Sequence, residues 1–481
     1  MNTLAQKMIR KVPAIAPGFR IIKFLAIKLG SISPMLATFA ALCGLLAGCT
    51  TVPPGSLAPA ARLAPDVESL DRTQLDGPLI PADRPLTPAE LGLLAVQNSP
   101  DLRAARSRRG VAQAQVLEAG LLPDPVLSGS YTVLLAGPAF ANALAATLSQ
   151  DVTAVVTLSA RRRAARQTAL QVDADLVWQE WQAISRAQTL AIDVVEQGRL
   201  LANFEQTLDA LSQRASITAA AVRQGNATLQ SLAPDLAALT SLQTQYDATT
   251  LAQEQRWQSL DALLGLLPNV RPMLATTLDI PSIPAAEIAR LLETLPERRP
   301  DLIALQLGYS AQQATLRAAV LGQFPALTLG PNYGSDTSRV QTLGPSVSLS
   351  LPLFNRNRGQ IAIQQATREQ LRAEYLARLD TATGGTQALI ANLALLERQL
   401  KQARAGVAQT RALAADAANA LRSGLLDELT YVELLTTRLE KERQVIGLEQ
   451  QVLDDRTALA TLLGVGLPPV MLIPPKEPSL F

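Results

Sequence analysis

The chain has 481 residues, 17% of them charged and 4% aromatic, with 43 Lys and Arg against 41 Asp and Glu and no histidine. The lack of His excludes His-based acid–base triads and His-ligated metal centres. Few aromatics beside recurrent Ala, Leu and Gln favour long helices packed through small residues over a compact aromatic core. The net charge is +2, but the first 48 residues hold six cations and no acid; without them the charge is −4, which gives no ground for a nucleic-acid partner.

Those cations (Lys7, Arg10, Lys11, Arg20, Lys23, Lys28) precede an apolar run from Met35 to Ala47, which closes on Leu46-Ala47-Gly48-Cys49. A basic segment, a short apolar run and small residues before a cut describe a secretory signal over residues 1–48. The run is shorter than the roughly 20 residues that cross a bilayer. A Cys directly after Leu-Ala-Gly resembles a bacterial lipoprotein signal. That implies Cys49 as the lipid attachment site, carrying diacylglycerol and an N-acyl chain, and Thr50 after it favours sorting to the outer membrane. Cys43 and Cys49 are the only cysteines, so one mature chain can form no disulfide.

Residues 49–88 are rich in Pro and Ala without periodicity, as expected of a tether or a surface strap. Beyond them the chain repeats itself. Ser99-Pro100-Asp101-Leu102 returns as Arg299-Pro300-Asp301-Leu302, Val222-Arg223-Gln224-Gly225 as Leu421-Arg422-Ser423-Gly424, and Leu263-Leu264-Gly265 as Leu462-Leu463-Gly464. Three matches in one order at nearly constant offset mark an internal duplication, with repeats over 89–285 and 286–466 and a Pro-rich tail over 467–481.

Each repeat starts with an expected helix, about Thr87 to Leu121 and about Ala286 to Leu321, ended by Pro123 and Pro325. The period then becomes two. Leu127, Gly129, Tyr131 and Val133 alternate with Ser128, Ser130 and Thr132, and Val347, Leu349, Leu351 and Leu353 alternate with Ser346, Ser348 and Ser350. A short strand Leu327–Leu329, followed by a turn over Asn332 to Ser338, precedes the latter, and a poorly alternating strand is expected over about Leu148 to Leu158. The hairpins therefore span about 126–158 and about 326–353. Helical hairpins come next, over about 161–267 and about 359–464, and Leu229, Leu232, Leu236, Leu239, Leu242 and Tyr246 step as a coiled-coil seam, as do Leu429, Val432, Leu435 and Leu439.

Strands with one apolar face and one face of Ser, Thr and Gly suit a transmembrane β-barrel, lipid outside and water inside. An open edge in hydrocarbon leaves backbone groups unpaired at several kcal/mol each. Four strands cannot close, so a membrane reading requires several copies.

Taken together, the lipobox, the duplicated helix–hairpin–helix order, the long paired helices and Leu349-Ser350-Leu351-Pro352-Leu353-Phe354-Asn355-Arg356-Asn357-Arg358-Gly359 resemble the TolC-like outer-membrane factors of tripartite efflux systems. The first copy lacks Pro-Leu-Phe, which bears on the subfamily. The resemblance implies a mainly α fold with a small β part, forming as a homotrimer a 12-stranded transmembrane β-barrel on a periplasmic α-helical tube. It implies as partners outer-membrane lipid, a periplasmic adaptor and an inner-membrane pump of the resistance-nodulation-division type. The helix tips at Arg223, Gly225, Arg422 and Gly424 are expected as the adaptor contact, although a Gly ending a helix is also an ordinary C-cap. Asp427, Glu428 and Glu433 lie just past the second tip, and Glu433 falls where the family has a gate acid; repeated three times around an axis, such acids form a ring that attracts cations. No phosphate-cradling loop or Gly-x-Ser-x-Gly elbow occurs, so no enzyme is expected, nor any cofactor beyond the lipid on Cys49, nor a soft-metal site from Met273 and Met471. A protein-secretion exit channel and a non-pore periplasmic scaffold lipoprotein remain the alternatives at this level.

Overall fold

Each repeat opens on a helix that proline breaks. In the computed structural model, which describes residues 57, 60–73, 79–81, 83–137 and 141–472, α1 (Pro88–Asn98) and α2 (Pro100–Gly120) replace the single helix expected from Thr87 to Leu121. The chain divides into Met1–Ala61 and Arg62–Phe481, and the second unit holds every helix and strand named here; Cys49, the signal segment and residues 473–481 lie outside the described residues. Thr87 and Glu90 form a reciprocal capping box at the start of α1. Pro100 then forces Ser99 into extended backbone (ψ 125°). The second repeat breaks twice, giving α5 (Ala285–Glu293), α6 (Leu295–Arg298) and α7 (Pro300–Leu321), because Pro296 and Pro300 each start a new helix. The α3 and α4 of the first repeat are Thr153–Arg223 and Leu229–Leu264; their counterparts α8 and α9 are Arg358–Arg422 and Glu428–Leu463. The long α3 and α8, at 71 and 65 residues, run about 105 and 100 Å. The 36 residues each of α4 and α9 reach about half as far.

Four antiparallel strands, β1 (Val126–Thr132), β2 (Ala143–Asp151), β3 (Ala326–Ser335) and β4 (Gln341–Ser350), form one sheet in that order. Two expectations are corrected. The second strand ends at Asp151, and Val152 to Leu158 belong to the entry of α3. Asp151 Oδ1 accepts from the amides of Thr153 and Ala154, and Thr153 Oγ1 accepts from Leu327 N at 2.7 Å; these contacts start a helix where β-branched residues alone suggest strand. The third strand has ten residues, because Asn332 to Ser335 pair with Gly344 to Gln341 instead of turning. Leu351 and Leu353 fall beyond the end of β4.

The strand-to-helix stretch after β4 has a geometric role. Arg356 and Asn357 both take left-handed backbone (φ 44° and 55°), and Asn357 Nδ2 donates to Ala319 O at the end of α7. Arg299-Pro300-Asp301 is a buried knot: Arg299 pairs with Asp301 through two bonds of 2.9 and 2.7 Å and lies 5.0 Å over the Trp178 ring. The Pro/Ala-rich segment is a packed strap in its described part. Ala64 and Leu86 bridge to Leu266 and Leu274, and Leu70, Ile80 and Leu86 are buried against α1, α3 and α4.

Candidate functional site

The register assigns every strand residue to one of two faces. One carries Leu127 and Tyr131, Leu144 and Leu148, Leu327, Leu329 and Tyr333, then Leu343, Val347 and Leu349. The other carries Ser128, Ser130, Thr147, Thr328, Asn332, Ser346 and Ser348. The apolar face has nothing over it: Leu127 is 66% and Leu343 78% exposed. The polar face is laced by small-residue contacts, such as Asn332 Nδ2 donating to Thr147 Oγ1 at 2.6 Å. At Gly330 a Cβ would lie 1.7 Å from the Leu148 carbonyl oxygen, so only glycine lets β2 and β3 meet there. Strands β1 and β4 each have one unpaired edge. A sheet apolar on one side, polar on the other and open at both edges is unfinished as a monomer.

The other candidate lies at the far end of the long helices. Gly225 and Gly424 adopt left-handed backbone (φ 77° and 70°). Their amides donate to Val222 O and Leu421 O, and those of Asn226 and Leu425 to Ala221 O and Ala420 O. These are paired Schellman turns, repeated at Gly265 and Gly464 where α4 and α9 end. No neighbouring atom lies within 4 Å of a Cβ built at either tip glycine. Arg223 is exposed, while Arg422 folds back onto Ala418 O and Asn419. The seams pack less far than expected, for Leu229, Leu236 and Leu429 at the tip are exposed whereas Leu242, Val432, Leu435 and Leu439 are buried.

The three acids have separate roles. Asp427 is the N-cap of α9, accepting from Thr430 N at 3.0 Å and Thr430 Oγ1 at 2.6 Å, and the Thr430 hydroxyl holds its carboxyl below the usual carboxylate range. Glu428 reaches Arg214 Nη2 at 3.2 Å. Glu433 stays exposed.

The charged group at the tip that sequence reasoning missed is Arg214 with Asp235. Asp235 is 1% exposed and accepts from Arg214 Nε at 3.0 Å and from Thr218 Oγ1 at 2.9 Å. The Arg214 guanidinium also stands 5.6 Å over the Tyr431 ring. One arginine on α3 thus touches α4 and, through Glu428 and Tyr431, α9 of the other repeat. A signal existed: Arg214 and Asp235 flank Gly225 almost symmetrically, so the hairpin must face them, and the duplication puts Leu413 and Leu434 at the matching places of the second copy.

Among the described residues no helix is long and apolar enough to cross a membrane, and no cluster of His, Cys, Asp and Glu could hold a metal ion. A profile of the outer membrane efflux protein family matches residues 291–465. The chain is 28% identical over 413 residues to the pyoverdine export outer membrane protein OpmQ of Pseudomonas putida, covering 78% of this chain and 84% of that protein. It is 29% identical over 233 residues to the cobalt-zinc-cadmium resistance protein CzcC of Cupriavidus metallidurans, covering 45% and 52%. In fold it is similar to the CmeC outer membrane channel of Campylobacter jejuni (TM-score 0.67, 16% identity, 86% of this chain and 94% of that one). It is likewise similar to CusC (TM-score 0.65, 18% identity, 78% and 92%). Residues 291–465 therefore carry the outer membrane efflux protein pattern, and over most of its length the chain has the fold of the TolC-like outer-membrane channels.

Proposed function

We propose that this protein is the outer-membrane channel subunit of a tripartite efflux pump, a passive exit duct for small molecules or metal ions. The observation that carries the reading is the two-faced, open-edged sheet at one end of helices about 100 Å long. Three copies, each giving four strands, close a 12-stranded barrel with the Leu and Tyr face to lipid and the Ser and Thr face to water. The helices continue as a tube into the periplasm, and Cys49 adds a lipid anchor. At the tips, exposed Leu229, Leu425 and Leu429 beside Arg223, Gly225, Arg422 and Gly424 offer an apolar surface for a periplasmic adaptor, which links to an inner-membrane pump of the resistance-nodulation-division type. The name of OpmQ speaks of pyoverdine export and that of CzcC of metal resistance, which supports cargo of small-molecule or ionic size.

Glu433, with Asp427 and Glu428 near it, forms the acidic ring of the closed end in this reading, and the Arg214–Glu428 pair ties the two hairpins where the tube must open. The test is single-channel recording from protein reconstituted in planar bilayers. Glu433→Gln should lower cation selectivity and relieve block by divalent ions from the periplasmic side, while Glu374→Gln, higher on α8, should do neither. Equal behaviour of the two variants would move the gate elsewhere, and the absence of any conductance would remove the channel.

A further inference from the structure

From the outer-membrane channel reading, on which this inference rests, we infer that the cationic groove between α3 and α7 binds the phosphate headgroup of an acidic phospholipid in the inner leaflet of the outer membrane. Two contiguous cavities make up the groove. One, of 430 Å³, is lined by Ser159, Arg163 and Gln167 from α3 and Ser310, Gln313 and Arg317 from α7. The second, of 570 Å³, lies along α3 alone: it shares Ser159, Arg163 and Gln167 with the first and runs past Arg162 and Arg166 to Val155 and Leu158. The pair therefore offers hydroxyls, amides and guanidinium groups at one end and an apolar wall at the other, the order of groups in a glycerophospholipid.

Charge and satisfaction point to an anion. Neither Arg163 nor Arg317 meets a carboxylate within ion-pair distance among the described residues, and both are exposed. No Asp or Glu occurs from Val152 to Val172 on α3, nor from Leu302 to Ser335 through α7 and β3. The Arg162 Nε donor is buried without a partner, although a buried guanidinium nitrogen ordinarily has one. Arginine forks match phosphate oxygens closely.

Height points to the headgroup layer. Val155 and Val156 on α3 and Phe324 before β3 are about half exposed or more, and form an apolar collar where the sheet passes into the helices. Arg163 lies seven residues past Val156, about 10 Å along the helix. The headgroup layer adds about 5–8 Å to each side of the hydrocarbon, and an arginine side chain spans the remainder. The groove also opens on the outer side of the helical wall. Ile184, five turns beyond Arg166 on one face of α3, packs against Gly92 of α1. Gln306, three turns before Arg317 on α7, donates to Pro296 O of α6. These short helices cover the face that the groove shares, which leaves the opposite face for the lumen. Sheet order puts α3 and α7 after and before the two central strands, so the site is complete within one protomer.

The test is native mass spectrometry of the full-length, delipidated protein in detergent. It would be titrated with phosphatidylglycerol and with phosphatidylethanolamine of the same acyl chains, each with and without millimolar inorganic phosphate. Phosphatidylglycerol should bind at least about tenfold more tightly. Arg163→Gln with Arg317→Gln should weaken it by about 25- to 30-fold, at roughly a factor of five per arginine. Arg163→Lys with Arg317→Lys should stay within a few fold of wild type, and Lys441→Gln, an exposed cation on α9, should leave lipid binding unchanged. No preference for the acidic lipid, or equal binding by the Gln variants, would overturn the site; displacement of the lipid by phosphate alone would reassign it to free anions. Conductance of the same preparations separates the failures: a conducting wild type with indiscriminate lipid binding refutes only this inference, whereas a non-conducting wild type refutes the channel reading beneath it.

Discussion

Replacing Asp235 by Asn tests whether the tip is held by an ion pair. The substitution keeps the volume and can keep the bond from Thr218, but it removes the carboxylate 3.0 Å from Arg214 Nε. Breaking one side of a buried pair ordinarily costs about 3–5 kcal/mol, because a charge is left buried without its partner. Arg214 retains Glu428 at 3.2 Å, on a side chain that is 46% exposed and so partly screened, and the Tyr431 ring at 5.6 Å. The lower end, about 3 kcal/mol, is therefore expected, or roughly a 150-fold rise in the opening equilibrium at the tip. Hydrogen exchange read by mass spectrometry on the detergent-solubilised protein measures it directly, since local opening governs exchange of amides flanking the pair. Protection should fall over residues 208–218 and 231–240 and stay unchanged at the end of α4 near Gly265. Arg214→Met with Asp235→Leu, which gives the first copy an apolar pair like that of the second, should restore it. Protection within about threefold of wild type in Asp235→Asn would show that the ion pair does not hold the tip, as would a double variant no better than the single one.

Gly225→Val and Gly424→Val should strain the left-handed turns by about 1–2 kcal/mol each and reduce cross-linking to the adaptor while sparing assembly; there is room for the side chain, so unchanged cross-linking would limit the glycines to turn-making. Asp427→Ala should speed exchange of the amides of Leu429 and Thr430, because the cap of α9 is lost. Burial first, and then the neighbouring Asp193 and Asp455, raise the Asp454 carboxyl to about 7. The folded protein then holds a proton that the unfolded chain releases near pH 4, so stability should fall as pH rises from about 4 to 7 and level off above. Asp454→Asn should flatten that slope and, after discounting for solvent, stabilise the protein by about 1 kcal/mol at pH 8; a wild-type melting temperature that is level across the window would contradict this. Cys49→Ala should abolish acyl labelling and leave uncleaved precursor; labelling that persists would move the anchor.

The sequence made the duplication legible because repeated Gly and Pro mark helix ends that backbone sterics fix twice over: Gly225, Gly265, Gly424 and Gly464 all close helices with φ near 70°. The sheet's two faces could be read in β1 and β4, where large apolar residues alternate with Ser. They were obscured in β2, whose Ala143-Leu144-Ala145-Ala146 carries helix formers that only pairing with β1 and β3 holds extended. The reverse error comes directly after β2, where Val152 to Thr157 are β-branched in part and yet helical, because Asp151 and the Thr153–Leu327 contact impose the turn. Pro100 and Pro300 were visible, but their neighbours keep helical periodicity on both sides, so one helix was expected where the backbone breaks. Asp427, expected in an acidic ring, also caps its helix, and a cap and a pore acid have the same local sequence. Arg214 and Asp235 are hidden for another reason: a long-range ion pair leaves no periodic signal, and only their symmetric placement about Gly225 and the apolar Leu413 and Leu434 of the second copy mark it.

In the proposed channel, separate copies join β1 to β4 to close the barrel. Within one protomer these strands are three spacings apart, about 14 Å, whereas a disulfide needs Cα atoms about 4.4–6.8 Å apart. Ser130→Cys on β1, combined in turn with Thr342→Cys, Ser346→Cys or Ser348→Cys on the same face of β4, therefore tests contact between chains. Oxidation of the membrane-embedded protein should give covalent dimers and trimers, and nothing larger, for at least one pair. A chain that remains monomeric on non-reducing gels with every pair, or a ladder that runs past three, would mean that three chains do not close a barrel through β1 and β4.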